Sequence, residues 1–234
     1  MTPNPKSPKQ RIIGLTGGIG TGKSTVSEYL ATAYKLPVLD ADIYARVAVE
    51  LGSPVLKAIA QRYGSDILLP DGTLNRRQLG QIVFNSPSER RWLEQQIHPE
   101  VRARMVGAMS DLLLPTVLLV VPLLFEAGMS DLVTEIWVVR CFEKQQLERL
   151  MQRSKLTLEE AQARISSQMP IEEKCDRADV VLDNSSTREA LLKQVDAAYA
   201  SPPTTTSRIR KLGPPQPTGK PFCPPLPQPP DSSQ

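Results

Sequence analysis

Histidine, cysteine and long apolar runs are all scarce in this 234-residue chain. Cys141, Cys175 and Cys223 are far apart and form no C-x-x-C, so neither a disulfide framework nor a zinc site is indicated, and a reducing compartment fits. His98 is the only histidine and has no partner for a metal or for a serine triad, which leaves it a structural or substrate-contact role. The longest apolar stretch, Leu112 to Phe125, is interrupted by Pro115, Thr116 and Pro122 and falls short of the roughly 20 residues that span a bilayer. No apolar segment of the signal-peptide kind opens the chain. The expectation is a soluble, cytoplasmic protein with no membrane partner.

Positive charge is present but sits at the ends. Arg208, Arg210, Lys211 and Lys220, opposed only by Asp231, sum to +3, and Lys6, Lys9 and Arg11 add another +3, so the formal total of +3 leaves −3 for the residues between them. Acidic residues outnumber basic ones in between, so the folded part is not expected to bind nucleic acid. Residues 201–234 hold half of the 22 prolines and show almost no aliphatic periodicity. Residues 1–10 and 201–234 are therefore expected to be disordered, the tail being a solvated appendage or a segment for an aromatic-lined groove. Residues 11–200 remain as the folded unit, and 40% hydrophobic residues suffice for a core. The sequence carries no signal for a subunit count.

Glycine is concentrated in one place: residues 14–25 read GLTGGIGTGKST. From Gly17 to Ser24 the spacing is G-x-x-x-x-G-K-[ST], with a strand pattern before it at Arg11 to Leu15 and a helix pattern after it at Lys23 to Tyr34. Glycines allow positive φ and let backbone N–H groups approach an anion, and the following helix adds its unpaired N–H groups and the positive end of its dipole. Gly20, Thr21, Gly22, Lys23, Ser24 and Thr25 are thus candidates for binding the phosphates of a nucleoside triphosphate such as ATP. Lys23 would reach the β- and γ-phosphates, and the Ser24 hydroxyl would serve a Mg²⁺ ion. The plainer alternative is a glycine-rich turn that happens to precede a helix.

Further strands are expected at 37–40, 116–125, 135–140 and 179–183. Helical patterns fill 43–114, far more than an ordinary crossover needs, which marks an inserted helical subdomain. Helices at 143–154 and after the capping box Thr157-Leu158-Glu159-Glu160 form a second insertion, at 141–177. Strands alternating with helices imply an α/β fold, a five-stranded parallel sheet covered on both faces, with ligands beyond the strand C-termini.

Asp40 and Asp42 end the second strand and share a side if that strand continues. Asp42 reads either as the N-cap of a helix starting at Ile43 or as the carboxylate that takes a proton from an acceptor hydroxyl. Arg46, four residues on, is either its intrahelical partner or a substrate anchor. Arg149 and Arg153 lie on one helical stripe, a solvated basic face or a lid that neutralises a transferred phosphoryl group and excludes water. Pro99 is expected to open a new helix after His98. The third strand ends in Pro122 without a Walker B aspartate, so metal ligation rests on Ser24, phosphates and water.

Taken together, these stretches resemble the dephospho-CoA kinase family: the glycine loop, Asp-Ala-Asp at 40–42, Leu74-Asn75-Arg76 with Leu79 and Val83-Phe84, His98-Pro99, Pro122-Leu123-Leu124-Phe125-Glu126, Arg149 and Arg153 with Gln168, and Ala178-Asp179 leading to Asn184. The likeness runs from about Ile12 to Tyr199. It implies a P-loop fold of the nucleoside-monophosphate-kinase kind, with 43–114 binding the acceptor and 141–177 as the lid. It further implies transfer of phosphate from ATP to the ribose 3′-hydroxyl of dephospho-CoA, with Asp42 as base, Lys23 and Arg149 as catalytic cations, and Asp40, Arg46, Arg76 and His98 on the substrate side, Arg76 toward its diphosphate. Asn184-Ser185-Ser186 departs from the family, which commonly has glycine two residues after the asparagine. Rival readings are a nucleoside monophosphate or shikimate kinase, or a nucleotide-binding scaffold without turnover. A GTP switch would need Asn-Lys-x-Asp and Asp-x-x-Gly, and neither occurs.

Overall fold

A computed structural model describes residues 10–112 and 114–201. The expected disordered tail lies outside these residues except for Ser201, as does the N-terminal segment except for Gln10. Gln10 is held in place, its side-chain amide donating to the carbonyls of Leu112 and Leu114 at 3.0 and 2.8 Å.

Five strands form one parallel sheet: β1 (Arg11–Gly17), β2 (Val38–Asp40), β3 (Thr116–Val120), β4 (Glu135–Arg140) and β5 (Val180–Asp183), in the order β2-β3-β1-β4-β5. The strand residues alternate between two cores. Ile13, Leu15, Leu118, Val120, Trp137 and Val139 face one side, against Val26 and Leu30 of α1 (Lys23–Ala33) and Leu191 and Val195 of α9 (Arg188–Ala200). Val117, Leu119, Ile136 and Val138 face the other, against Val101 and Met105 of α5 (Pro87–Asp111). Each fully buried aliphatic contributes about 1.5–3 kcal/mol, so this two-sided burial holds the central strands in register.

Between β2 and β3 the chain forms α2 (Ala41–Val47), α3 (Pro54–Tyr63), α4 (Arg76–Asn85) and α5. They enclose a third core of Val49, Val55, Leu56, Ile59, Ile67, Leu74 and Leu79. Pro99 does not open a new helix as expected but lies inside the 25-residue α5. A proline removes one backbone hydrogen bond, here the one to the Gln95 carbonyl, and both residues lie on the exposed side of the helix. Ile97, which packs against both the sheet-side core and the third core, holds the two halves of α5 in line.

β3 stops at Val120 instead of continuing to Phe125, because Pro122 has no N–H for the ladder and the chain turns there. The β4–β5 crossover contains α6 (Glu143–Ser154), α7 (Leu158–Ser166) and a further short helix, α8 (Ile171–Asp176), that periodicity did not indicate. No helix among the described residues is long and apolar enough to cross a membrane.

Candidate functional site

β1 ends at Gly17, and the chain turns through Gly18 to Gly22 into α1. Gly17 and Gly22 have φ of 143° and 109°. Both also allow close approach: a Cβ on Gly17 would lie 2.3 Å from the Val139 carbonyl oxygen, and one on Gly22 2.2 Å from Asn184 Nδ2. Thr21 Oγ1 closes the turn by donating to the Gly18 carbonyl at 2.9 Å. Asn184, after β5, donates from Nδ2 to the Thr21 carbonyl at 2.8 Å. Because Gly22, the N-cap of α1, has no side chain to cap the helix and its first turn has no acidic residue, the unpaired N–H groups stay available to an anion.

Lys23 Nζ folds back on the carbonyls of Gly17 and Gly18, at 2.9 and 2.8 Å. Burial, then Lys174 and Arg153, push its pKa down from 10.5 to about 8, with Asp42 and Asp40 pulling the other way. A desolvated cation held only by neutral carbonyls and crowded by other cations is stabilised by a bound anion.

The aspartates divide their roles differently from either expectation. β2 stops at Asp40, so strand alternation does not align the pair; Asp40 is the N-cap of α2 and accepts the Asp42 N–H at 2.8 Å. Asp42 is therefore not a cap. Asp42 is exposed, and its carboxyl is raised above the usual 3.8 by desolvation and then by Asp40, against the charges of Lys23 and Arg46.

Arg149, on α6, donates from Nη2 to the Asn184 carbonyl at 3.3 Å, whereas its Nη1 is buried without a partner. It lines a cavity of about 280 Å³ with Gly20, Gly22, Thr25 and Asn184. An unpartnered buried donor costs roughly 1–3 kcal/mol, which a ligand oxygen or ring nitrogen would offset. Arg153, one turn further on, acts electrostatically on Lys23.

Arg46 bears on Asp42 through its charge, and Arg76 donates from Nη2 to the Arg46 carbonyl at 3.0 Å, joining α4 to α2. His98 is half-buried within α5, and burial lowers its pKa from 6.5 against the pull of Glu94. Among the described residues, Arg76 and His98 make no hydrogen bond or ion pair with the glycine loop. No group of three or more histidines, cysteines and carboxylates able to hold a metal occurs among them either.

Four residues near the loop had no assigned part. Gln146 Nε2 donates to the Ile19 carbonyl at 2.7 Å, and Gln168 Oε1 accepts the Ile19 N–H at 2.9 Å. Lys174 is wholly buried, pairs with Glu126 at 2.8 Å and donates to the Pro122 carbonyl at 3.0 Å. Glu126 and Gln168 stood in the family-like motifs without a role. Gln146 and Lys174 stand in highly polar helices, where sequence alone reads a polar side chain as a surface one.

Residues 11–189 match the family model described as Dephospho-CoA kinase. A dephospho-CoA kinase of Trichormus variabilis is 64% identical over 189 residues, covering 81% of this chain and 96% of its own. A solved structure from Thermus thermophilus superposes with a TM-score of 0.70 at 38% identity, over 82% of this chain and 97% of that one. The solved dephospho-CoA kinase of Campylobacter jejuni gives a TM-score of 0.61 at 30% identity, over 81% and 95% of the two chains. With Arg149 set against a glycine loop between β1 and α1, these likenesses leave one assignment: the chain belongs to the dephospho-CoA kinase family.

Proposed function

We propose that the protein transfers the γ-phosphoryl group of ATP to the ribose 3′-hydroxyl of dephospho-CoA, giving coenzyme A and ADP in the cytoplasm. The observation that carries this is the buried Lys23 held on the glycine-loop carbonyls with the Asp42 carboxylate acting on it through its charge: a cation for the transferred group and a carboxylate for the hydroxyl proton.

Gly20 to Thr25 offer backbone N–H groups to the ATP phosphates, and Lys23 exchanges its loop carbonyls for phosphate oxygens. Asp42 is the general base. Its raised pKa makes it a stronger base, and Asp40, by capping α2, fixes the backbone that presents it. Arg149 supplies its free Nη1 to the nucleotide, and Arg153 adds charge beside Lys23. Helices α6 to α8 serve as the lid that excludes water. Residues 43–114 hold the acceptor, with Arg46, Arg76 and His98 on that side. The Ser24 hydroxyl, exposed in the first turn of α1, suits Mg²⁺, a hard ion that takes few protein ligands and keeps phosphate oxygens and waters. When bound, the ion neutralises charge on the transferring phosphates.

The test is the product. Incubated with ATP, Mg²⁺ and dephospho-CoA, the protein should yield a compound whose new ³¹P resonance is a monoester on the ribose 3′-carbon. A new phosphate at any other position, or ADP release without a phosphorylated acceptor, would contradict the reading.

A further inference from the structure

We propose that Gln146 and Gln168 are positioning residues for phosphoryl transfer, gripping Ile19 of the phosphate loop from α6 and from the segment between α7 and α8 so that loop and arginine-bearing helix hold one geometry. This rests on the kinase reading above for its effect on turnover, though not for the contacts themselves.

The two glutamines divide their chemistry. Gln146 gives an N–H to the Ile19 carbonyl at 2.7 Å, and Gln168 takes the Ile19 N–H on its Oε1 at 2.9 Å. Both polar groups of the residue at the loop's crest are thus saturated by amides. A carboxylate at either position would set a negative charge near the phosphates, and an apolar side chain would leave a backbone group unpaired.

The loop is shaped to receive Gln146. A Cβ on Gly18 would lie 2.6 Å from its Nε2, and one on Gly20 would lie 3.3 Å from its backbone carbonyl oxygen. The glycines flanking Ile19 therefore admit α6 against the loop backbone. Gln146 precedes Arg149 by three residues and shares its helical face, so the grip on Ile19 also indexes the guanidinium over the nucleotide cavity.

Gln168 is fixed from the opposite side. The next residue, Met169, donates its N–H to Glu126 Oε1 at 3.0 Å, and Glu126 pairs with the fully buried Lys174. Lys174 Nζ donates to the Pro122 carbonyl at 3.0 Å, which also accepts Thr16 Oγ1 at 3.0 Å. This chain of bonds returns to β1 beside the loop's first glycine. Reshaping the loop crest would drag both α6 and the 168–169 segment with it.

The experiment uses the full chain with Gln146→Met, Gln168→Met, the double variant, and Gln168→Glu, which keeps an acceptor for the Ile19 N–H. Readouts are kcat and KM for ATP, nucleotide affinity by calorimetry, and hydrogen exchange of the Ile19 amide against core amides of β1 and β3. Each methionine variant should lower kcat by about 10- to 100-fold, the range for sub-ångström misplacement of reacting groups. Gln168→Met should speed Ile19 exchange while the β1 and β3 amides stay protected. The double variant should lose less than the product of the single losses, because both side chains act through one residue. Gln168→Glu should keep Ile19 protected and kcat within a few-fold of the parent, with KM for ATP raised by the added charge. Equal kcat losses in Gln168→Glu and Gln168→Met, wild-type kcat in both single methionine variants, or unchanged Ile19 exchange in Gln168→Met would each overturn the proposal. Should the parent protein phosphorylate no acceptor, nucleotide affinity and Ile19 exchange still decide the glutamines' role, and the failure falls on the kinase reading.

Discussion

Nucleotide binding should be accompanied by proton uptake at Lys23. In the free protein, burial and the neighbouring Lys174 and Arg153 bring the pKa of this lysine to about 8. A bound polyphosphate replaces the Gly17 and Gly18 carbonyls as its partner, and an anion at hydrogen-bonding distance favours the charged form, so the pKa rises on binding. The sign follows: free Lys23 is partly neutral near pH 8, becomes fully charged in the complex and takes its proton from solution. Uptake should be about 0.1 proton per ATP at pH 7, about 0.5 at pH 8 and about 0.9 at pH 9. Affinity should fall toward tenfold per pH unit above about pH 8. Calorimetric titrations in two buffers of different ionisation enthalpy measure the uptake directly, and above about pH 7.5 the nucleotide's own phosphates contribute little. Lys23→Met should abolish the uptake. A binding enthalpy independent of buffer at pH 8 would refute this account of the lysine.

Asp42→Asn should lower kcat about 100-fold or more with ATP affinity retained, since general-base catalysis contributes ~10² to 10⁴; full activity with only a lower Tm would exclude Asp42 as the base. Arg149→Met should cost about 10²- to 10³-fold in kcat yet change Tm little, because loss of the Nη2 bond to the Asn184 carbonyl is offset by disappearance of the buried, unpartnered Nη1. A large drop in Tm would show that Arg149 is structural. Gly52→Ala and Gly22→Ala separate backbone strain from collision: φ is 85° and 109°, but a Cβ meets nothing within 4 Å at Gly52 and Asn184 Nδ2 at 2.2 Å at Gly22. The shared strain of about 1–2 kcal/mol should lower Tm by roughly 3–6 °C in each, and Gly22→Ala should lose a further ~2–4 °C together with ATP binding. Equal melting temperatures would refute the role of Asn184 in holding the loop.

The glycine loop was legible because its conformation depends on local backbone: a fixed spacing, a strand before and a helix after. The central strands were legible because two-sided burial demands unbroken apolar runs such as Val117 to Val121. Elements fixed by tertiary contacts were harder to read. Pro99 signals a helix start locally, yet Ile97 packing on two cores carries α5 through it. The choice of Asp40 over Asp42 as cap turned on where the helix after a three-residue strand begins, at Ala41 or two residues later at Ile43. Gln146 and Lys174 could not be singled out, because a polar residue on a charged helix reads as solvent-facing until the fold sets Ile19 against the one and Glu126 and Pro122 against the other.

Acceptor choice tests the central claim most directly. The protein, ATP and Mg²⁺ should be mixed with equimolar dephospho-CoA, AMP, CMP, UMP and shikimate in one vessel, and the product ratios read by mass spectrometry give relative kcat/KM. Binding energy along the pantetheine arm and diphosphate places the hydroxyl in line with the γ-phosphate, so dephospho-CoA should dominate, and shorter acceptors should lose kcat as well as affinity. Preferential phosphorylation of a nucleoside monophosphate or of shikimate would contradict the account.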